Sequence, residues 1–396
     1  MQVFSDFDLK GKKVIMRVDF NVPLNEDLTV SDDSRLRAAL PSIRLLLEKG
    51  AAVILMSHLG RPKNGPENKF SLRHIVEPLE TLLKHSIQFV DDCIGTDVQK
   101  ASVHLKTGEI LLLENLRFHI EEKKGDLAFA KQLANLADFY VNDAFGTAHR
   151  AHASTAIIAQ FFEGRKAAGL LMAREVDEAK RLMEQPAKPF TAILGGAKVS
   201  DKIPVIENLL KIVDHILIGG GMAYTFIAAL GGKIGKSICE PEQFELCLTL
   251  LEKAKNMGVN IHLPVDSIIA DQFNNDAKIQ FARIDEIPDH WLGLDIGADT
   301  AKSFRDIILS SNTVLWNGPM GVFEMKTFSG GTRVIGYAIA EATENGCYSL
   351  VGGGDSVAAI NQMHLADDIS FVSTGGGAML ELLEGKALPG IIAIGN

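Results

Sequence analysis

Cysteine is scarce in this sequence and is nowhere paired. The four cysteines, Cys93, Cys239, Cys247 and Cys347, are scattered along the chain and form no C-x-x-C motif. A disulfide framework or a cysteine-rich zinc site would need closely spaced cysteines, so the pattern argues against both. It predicts a protein of a reducing, cytoplasmic compartment.

Long apolar runs are also missing. The longest uncharged run, ILIGGGMAYTFIAALGG at 216–232, is short for a membrane span and dense in glycine. The N-terminal MQVFSDFDLK is acidic and has no apolar centre, so no signal peptide is expected. We therefore predict no membrane association.

An excess of basic charge is absent as well. The formal net charge is −10 at pH 7, and nucleic-acid binding over a broad surface would need the opposite sign. Nucleic acid is therefore not an expected partner, although a local basic pocket is compatible with this average. Hydrophobic residues make up 46% of the 396 residues, which is enough for two or three folded domains.

Short runs rich in Val, Ile and Leu recur along the chain and are typical of strands buried on both faces. They lie at 13–20, 51–58, 87–90, 109–116, 139–145, 190–196, 215–221, 259–266, 313–319 and 348–354. Helix-like segments such as 34–50 and 203–213 separate them. This alternation predicts an α/β fold with doubly wound, Rossmann-like parallel sheets.

A charged, helix-periodic stretch at 170–190 ends in Pro186 and Pro189, and a new series of strands follows it. We expect two domains of similar size joined by a helix, with a cleft between them. The expected bounds are 1–169, an interdomain helix at 170–186, and 187–387. In open parallel sheets, ligands bind beyond the carboxyl ends of the strands.

Arginine and histidine are frequent where the strands of the first half end. The polar residues at these ends are Asp19, Asn21, His58, Arg61, Arg117, His149, Arg150 and His152, and Arg35 lies near a helix start. A single arginine there is more often a solvated surface charge. Several at one sheet edge predict a pocket for a small, multiply anionic molecule, because guanidinium groups bind phosphate and carboxylate in pairs of hydrogen bonds.

Glycine clusters replace these residues in the second half, at 219–221, 352–354 and 375–377. The dinucleotide motif G-x-G-x-x-G fails at its last position, where Tyr224, Val357 and Leu380 stand. The segment LGGKIGKS at 230–237 ends like a P-loop but has Leu230 in place of the first glycine. A Rossmann dehydrogenase and a Walker-type ATPase are both disfavoured.

Two other segments of this half suit a nucleotide. Lys198 and Lys202 lie four residues apart, one helical turn, near a helix start. Two lysines on one face suit polyphosphate oxygens, with a plain amphipathic helix start as an equal alternative. In WNGPMGVFE at 316–324, Trp316, Pro319 and Val322 suit an apolar pocket. Glu324 could accept hydrogen bonds from ribose hydroxyls, although the segment alone would more often be a buried turn.

Taken together, these segments resemble the phosphoglycerate kinase family from end to end. The matching segments occur in the family's order: RVDFNVP, SHLGRP, ENLRF, DAFGTAHRAH, LGGAKVSDK, GGGMAYTF, GLDIGADT, WNGPMGVFE, GGGDS and STGGGAMLELLEGKALPG. The resemblance implies a glycolytic phosphotransferase with a carboxyl acceptor. It would transfer the acyl phosphate of 1,3-bisphosphoglycerate to ADP, giving ATP and 3-phosphoglycerate, reversibly.

The resemblance also implies site residues. To 3-phosphoglycerate it assigns Asp19, Asn21, Arg35, His58, Arg61, Arg117, Gly146 and Arg150. To the nucleotide it assigns Gly196, Lys198, Lys202, Gly219, Gly220, Gly221, Gly293, Asn317, Glu324, Gly353, Gly354, Asp355 and Ser356. Arg35 and Lys198 are the expected catalytic residues. Asp355 is the expected ligand of Mg²⁺, bound as Mg-ADP or Mg-ATP, with a helix N-cap as its alternative role.

The family pattern implies a monomer whose domains close by hinge bending to align the substrates without a general base. It also implies that residues 388–396 return to the N-terminal domain. Two positions depart from the pattern: Ser356 stands where threonine is usual, and Met325 stands where an aromatic residue is common. The rival classes are a nicotinamide-dependent dehydrogenase, which lacks its glycine motif here, and a degenerate binding protein, which would have lost charged site residues.

Overall fold

The computed structural model describes residues 1–63 and 65–395. The chain forms two compact units, the first from Met1–Asp177 together with the chain from Ala387 onwards, and the second from Glu178–Lys386. Asn396, the last residue of the predicted returning segment, lies outside the described residues. Each unit contains one six-stranded parallel sheet, so the predicted class of two parallel-sheet α/β domains is confirmed.

The first unit is built on strands β1 to β6. Their bounds are Lys13–Arg17, Ala52–Met56, Ile87–Val90, Ile110–Leu113, Phe139–Asn142 and Lys166–Ala168. The order across the sheet is β3-β4-β2-β1-β5-β6, and every pairing is parallel. The helices α1 to α6 span Ser34–Glu48, Val76–Leu83, Thr96–His104, Ile120–Lys124, Leu127–Ala134 and Leu170–Glu184. Helix α6 occupies most of the predicted segment 170–186, and the division between the units falls within it.

The second unit contains strands β7 to β17. Their bounds are Phe190–Leu194, His215–Ile218, Lys233–Ile234, Asn260–His262, Asp266–Ala270, Ile279–Arg283, Glu286–Ile287, Leu292–Ile296, Thr313–Asn317, Tyr348–Val351 and Phe371–Val372. The parallel sheet has the order β10-β8-β7-β15-β16-β17. An antiparallel sheet β12-β11-β14 and the pair β13-β9 were not predicted, because strands such as β12 are largely exposed and lack the buried apolar pattern.

The helices α7 to α13 of this unit span Ile203–Leu209, Met222–Ala229, Phe244–Asn256, Ala298–Leu309, Gly330–Glu344, Gly354–Gln362 and Gly377–Leu383. The last helix, α14 at Pro389–Gly395, belongs to the first unit, where the Gly390 amide donates to the Ala148 carbonyl at 2.8 Å. Among the described residues, no helix combines the length and apolar character needed to cross a membrane.

Burial explains why the central strands are almost continuously apolar. Every residue of β2, β4, β7 and β15 is buried, so both faces of these strands pack against helices. Trp316 in β15 is fully buried and donates its indole N–H to the Gly318 carbonyl at 2.8 Å. The carboxyl ends of the strands in each sheet meet at one edge, where the predicted site residues follow.

A buried carboxylate fixes the start of α6. Asp143 follows β5, is fully buried, and accepts a hydrogen bond from the Met172 amide at 3.0 Å in the first turn of α6. An anion near a helix N-terminus is favourable, but here burial is the larger effect and raises the pKa of Asp143 to about 6. The folded state therefore binds a proton at this carboxyl more readily than the unfolded chain does.

We expect the Asp143→Asn variant to gain stability relative to wild type as the pH rises. Ionisation of Asp143 opposes folding, and this penalty develops between about pH 4, the unfolded value, and the folded pKa. Asparagine keeps the acceptor for Met172 and removes the charge. Urea unfolding at pH 5 and pH 8 should show the stability difference, variant minus wild type, growing by on the order of 1–2 kcal/mol.

Asp97→Asn is the matched control, because Asp97 also lies in the first turn of a helix of this unit, α3, but is exposed. Its stability difference from wild type should change little between the two pH values. A difference for Asp143→Asn that is equally independent of pH would contradict the account.

Candidate functional site

The predicted residues of the first half gather at the carboxyl edge of the first sheet. Asp19 and Asn21 follow β1, and His58 and Arg61 follow β2. Arg117 lies in a 3₁₀ turn after β4, Gly146 lies in a 3₁₀ turn after β5, and Arg150 follows that second turn. Arg35 lies in the first turn of α1. Parallel strands bring these ends together although the residues span more than a hundred positions of the chain, from Asp19 to Arg150.

Backbone and side-chain bonds orient part of this group. The Arg35 guanidinium donates to the Asp19 carboxylate at 2.9 Å, and the Asn21 side-chain oxygen accepts from the Gly60 amide at 2.7 Å. Arg117 donates to the Gly60 carbonyl at 2.9 Å. Arg61 is exposed, and its guanidinium takes part in none of the ion pairs formed by the described residues. It is therefore available to a ligand.

A buried arginine that sequence reasoning missed lies beneath this edge. Arg17, the last residue of β1, is fully buried and donates to Ser154 Oγ at 2.9 Å. Ser154 in turn donates to the buried Glu122 carboxylate at 2.6 Å, so a hydroxyl links the two opposite charges. Arg17 also donates to the Val18 carbonyl. The only sequence signal was a cation inside the apolar run KVIMRVDF.

Arg17 determines the state of His58. Its second terminal nitrogen lies 3.1 Å from His58 Nδ1, and His58 is 3% exposed. Burial, followed by the charges of Arg17 and Arg117, holds the pKa of His58 well below its usual value. The imidazole is therefore neutral. Because Arg17 can only donate, Nδ1 accepts and the proton lies on Nε2.

The positive charge at this edge affects its other titratable groups. Burial and the neighbouring Arg17 lower the pKa of Arg117 to about 10. Burial and the arginines 117, 17 and 150 lower the pKa of His152 to about 4, so that imidazole is neutral too. Charges of one sign depress each other's protonation here, and a bound anion would relieve this repulsion.

The second unit has a glycine-lined edge where close backbone approach requires glycine. Gly220 has φ 66°, and a Cβ there would lie 2.7 Å from the Gly196 amide nitrogen. Gly353 has φ 93°, and a Cβ there would lie 2.7 Å from the Asn317 side-chain nitrogen. Larger residues at these positions would both strain the backbone and fill the edge.

The two lysines of this unit differ from the prediction in one respect. Helix α7 begins at Ile203, so Lys198 and Lys202 precede it in a loop and do not share a helix face. Lys202 donates to the Asn317 side-chain oxygen, and Asn317 donates to the Gly352 carbonyl at 2.8 Å. Burial lowers the pKa of Lys202, opposed by Asp201 and Asp355. Lys198 is exposed.

A cavity of about 470 Å³ opens beside these residues. The predicted residues that line it are Gly196, Gly220, Gly221, Gly293, Glu324 and Asp355, with Pro319 and Val322 as apolar walls. The remaining predicted residues do not line it: Lys198, Lys202, Gly219, Asn317, Gly353, Gly354 and Ser356. Ser356 Oγ instead accepts a hydrogen bond from the Gly318 amide at 2.6 Å. The expectation that Trp316 lines a pocket was wrong, because its side chain is buried in the core.

The lining residues that escaped the sequence analysis include Lys236, Ile238 and Phe273. Lys236 and Ser237 belong to the segment that resembles a P-loop. No strand–loop–helix forms there; Ser237 Oγ instead accepts from the Gly293 amide at 2.9 Å and fixes the cavity wall. The Gly-Lys-Ser triplet was the available signal, but only the tertiary fold shows that it faces this cavity.

Asp355 lies in the first turn of α12, two residues after the N-cap, which is Gly353. No side-chain bond caps this helix start, so the alternative role of Asp355 as the N-cap is wrong. Its carboxylate is exposed, lines the cavity and lies close enough to Lys202 to influence that pKa. An exposed carboxylate beside a lysine and a row of backbone amides suits a cation carried by an anionic ligand.

Known proteins resemble this chain over nearly its whole length. The family model described as phosphoglycerate kinase matches residues 4–386. The phosphoglycerate kinase of Porphyromonas gingivalis is 51% identical, covering 98% of both chains, and the cytosolic phosphoglycerate kinase of Triticum aestivum is 52% identical, covering 98% of this chain and 96% of its own. The solved phosphoglycerate kinase of Coxiella burnetii superposes with a TM-score of 0.88 at 41% identity, covering 99% of this chain and 98% of that one.

The family match, the high identity of full-length relatives and the shared fold agree with the residues found at the carboxyl edge of each sheet. This chain belongs to the phosphoglycerate kinase family.

Proposed function

We propose that this protein transfers a phosphoryl group reversibly between 1,3-bisphosphoglycerate and ADP, giving ATP and 3-phosphoglycerate, as a step of glycolysis. The observation that carries the proposal is the complementary chemistry of the two units. The first presents clustered cations over the buried Arg17, and the second presents a glycine-lined cavity that ends in Asp355. A small anion fits the first site and a nucleotide fits the second.

The first site would hold 3-phosphoglycerate through charge-assisted hydrogen bonds. Arg61 and Arg150 are exposed and suit a phosphate, since guanidinium groups bind its oxygens in pairs. Neutral His58 would donate through Nε2, because Arg17 occupies Nδ1. Asn21, held by its bond to the Gly60 amide, suits the hydroxyl of the substrate. Asp19 acts through Arg35 by fixing the direction of its guanidinium.

The second site would hold the nucleotide along the glycine edge. The base would lie between the backbone of Gly220, Gly221 and Gly293 and the apolar walls of the cavity. Glu324 at the cavity rim suits the ribose hydroxyls. Lys198 and Lys202 suit the phosphates, and the amides at the start of α12 add donors there.

Asp355 fits the metal that a nucleotide carries. It offers a hard, exposed oxygen donor, and Mg²⁺ usually takes one or two carboxylates together with phosphate oxygens and water. Mg²⁺, when bound, would neutralise charge on the nucleotide phosphates. Ser356 retains its bond to the Gly318 amide, so the departure from threonine at this position keeps a hydroxyl in place.

Catalysis would rest on alignment and charge stabilisation. The attacking carboxylate of 3-phosphoglycerate is already ionised near neutrality, since carboxyl pKa values are about 4, so no general base is needed. Arg35 and Lys198 would stabilise the oxygens of the transferring group. Since the two ligands are proposed to bind different units, they must meet for transfer. Domain closure, a monomeric state and a cytoplasmic location stay predictions of the sequence.

The activity and the role of Lys198 can be tested in one assay. The wild-type protein should form ADP from ATP and 3-phosphoglycerate in the presence of Mg²⁺, measured by a coupled assay. Lys198→Met should lower kcat by about 10²–10³-fold, as loss of one donor to a transition-state oxygen does, and leave 3-phosphoglycerate affinity unchanged. Lys255→Met, an exposed lysine of α9, is the control and should retain full activity.

An inactive wild-type protein would overturn the proposed function. A Lys198→Met variant with near-normal kcat would remove only this residue from the mechanism.

Asp355→Asn should raise the Mg²⁺ concentration needed for half-maximal activity by about tenfold or more, because a neutral amide oxygen binds the cation less strongly. Asp299→Asn is closely matched: Asp299 occupies the same position in the first turn of α10, in the same unit. It should leave the Mg²⁺ dependence unchanged. Equal Mg²⁺ dependence in Asp355→Asn and wild type would show that Asp355 does not serve the metal.

A further inference from the structure

A cluster of metal-ligating side chains lies in the first unit, in addition to the residues proposed to bind substrate. Among the described residues, Asp92, Cys93 and His119 place one ligand atom each within 4.8 Å of the others. Asp92 and Cys93 follow β3, and His119 lies directly before α4. The chain brings together a carboxylate, a thiol and an imidazole from two separate segments.

The three side chains are already held near one another. His119 Nε2 lies 2.7 Å from Asp92 Oδ1, which also accepts from the Cys93 amide at 2.6 Å. The imidazole packs against Phe129, with ring centroids 5.3 Å apart. Asp92 Oδ2 takes part in none of the hydrogen bonds formed by the described residues, so it remains available as a donor to a cation.

The geometry requires little movement to surround an ion. A tetrahedral ion with metal–ligand distances of about 2.0–2.3 Å holds its ligand atoms roughly 3.3–3.8 Å apart. The observed limit of 4.8 Å exceeds this by about one ångström, which rotation of the half-exposed Asp92 side chain can supply. His119 is 27% exposed and opens the cluster to solvent, whereas Cys93 is fully buried at its base.

The surroundings favour a cation. Asp92, Glu122 and Glu114 place negative charge around the buried Cys93 sulfur. A divalent cation would stabilise the thiolate and offset the carboxylate charge around it, with the thiol proton released to solvent.

We propose that Asp92, Cys93 and His119 form a binding site for a thiolate-preferring divalent cation, Zn²⁺, with water as the fourth ligand. Sulfur and imidazole donors suit Zn²⁺ and disfavour Mg²⁺, so this site is distinct from the proposed nucleotide metal. The absence of closely spaced cysteines argues only against a cysteine-rich zinc site. A mixed site with one cysteine leaves no such pattern in the sequence.

The site would connect two segments that border the substrate edge. His119 directly follows the 3₁₀ turn that carries Arg117, and it is the N-cap of α4, which carries Glu122. An ion would tie this turn to the loop after β3. We therefore expect the metal to raise the melting temperature of the protein.

Cobalt substitution tests the site directly, because a cysteine ligand gives a thiolate-to-Co²⁺ charge-transfer absorption and a tetrahedral site gives intense visible bands. Chelator-treated wild-type protein titrated with Co²⁺ without oxygen should develop both absorptions to one equivalent, and Zn²⁺ should remove them. Cys93→Ala should lose the charge-transfer absorption. His119→Gln, at a partly exposed position, should weaken Co²⁺ binding by about tenfold or more.

Cys247→Ala is the control, since Cys247 is equally buried but lies in α9 of the second unit. It should retain the full titration and the rise in melting temperature with Zn²⁺. Absence of the charge-transfer absorption in wild type, its persistence in Cys93→Ala, or unchanged affinity in His119→Gln would each overturn the proposal. If Cys93→Ala fails to fold, the His119→Gln result decides.

Discussion

The buried charge of Arg17 is the constraint on which the first unit depends. A guanidinium with no exposed surface is costly unless every part of the site compensates for it. Compensation comes from Glu122 through the Ser154 hydroxyl and from the Val18 carbonyl. His58 contributes by remaining neutral and accepting from Arg17. One cation at the end of β1 thus fixes the tautomer of the adjacent histidine and adds to the positive field in which a substrate anion would bind.

The second unit forms its proposed ligand site mainly from backbone, whereas the first unit uses clustered cationic side chains. Its glycines let neighbouring loops approach so closely that a single Cβ would collide, as at Gly220 and Gly353. The resulting edge is lined by amides and bounded by an apolar cavity, which suits a ligand whose base is apolar and whose phosphates are charged. Lys202 is held by Asn317, so its ammonium is oriented before any ligand arrives. Three charged side chains that line the cavity, Lys236, Glu324 and Asp355, add to this backbone surface.

The fold class followed from the sequence because buried parallel strands have nearly continuous apolar runs, and all ten predicted runs contain a strand. The short edge strands β6 and β17 were missed because they contain only three and two residues, and the small antiparallel sheet was missed because exposed strands such as β12 lack that pattern. The arginines and glycine clusters of the candidate sites could be predicted from the sequence because they end the apolar runs of the strands. Arg17, Lys236 and the Asp92–Cys93–His119 cluster were not, because their roles depend on residues far away in the chain.

The central claim is that each unit binds one substrate, and hydrogen–deuterium exchange measured by mass spectrometry tests it most directly. 3-Phosphoglycerate alone should protect peptides around 17–23, 57–62, 114–118 and 143–152. Mg-ADP alone should protect a separate set around 194–202, 219–226, 316–324 and 352–356. Protection of the second set by 3-phosphoglycerate, or of the first set by Mg-ADP, would contradict the assignment of one substrate to each unit.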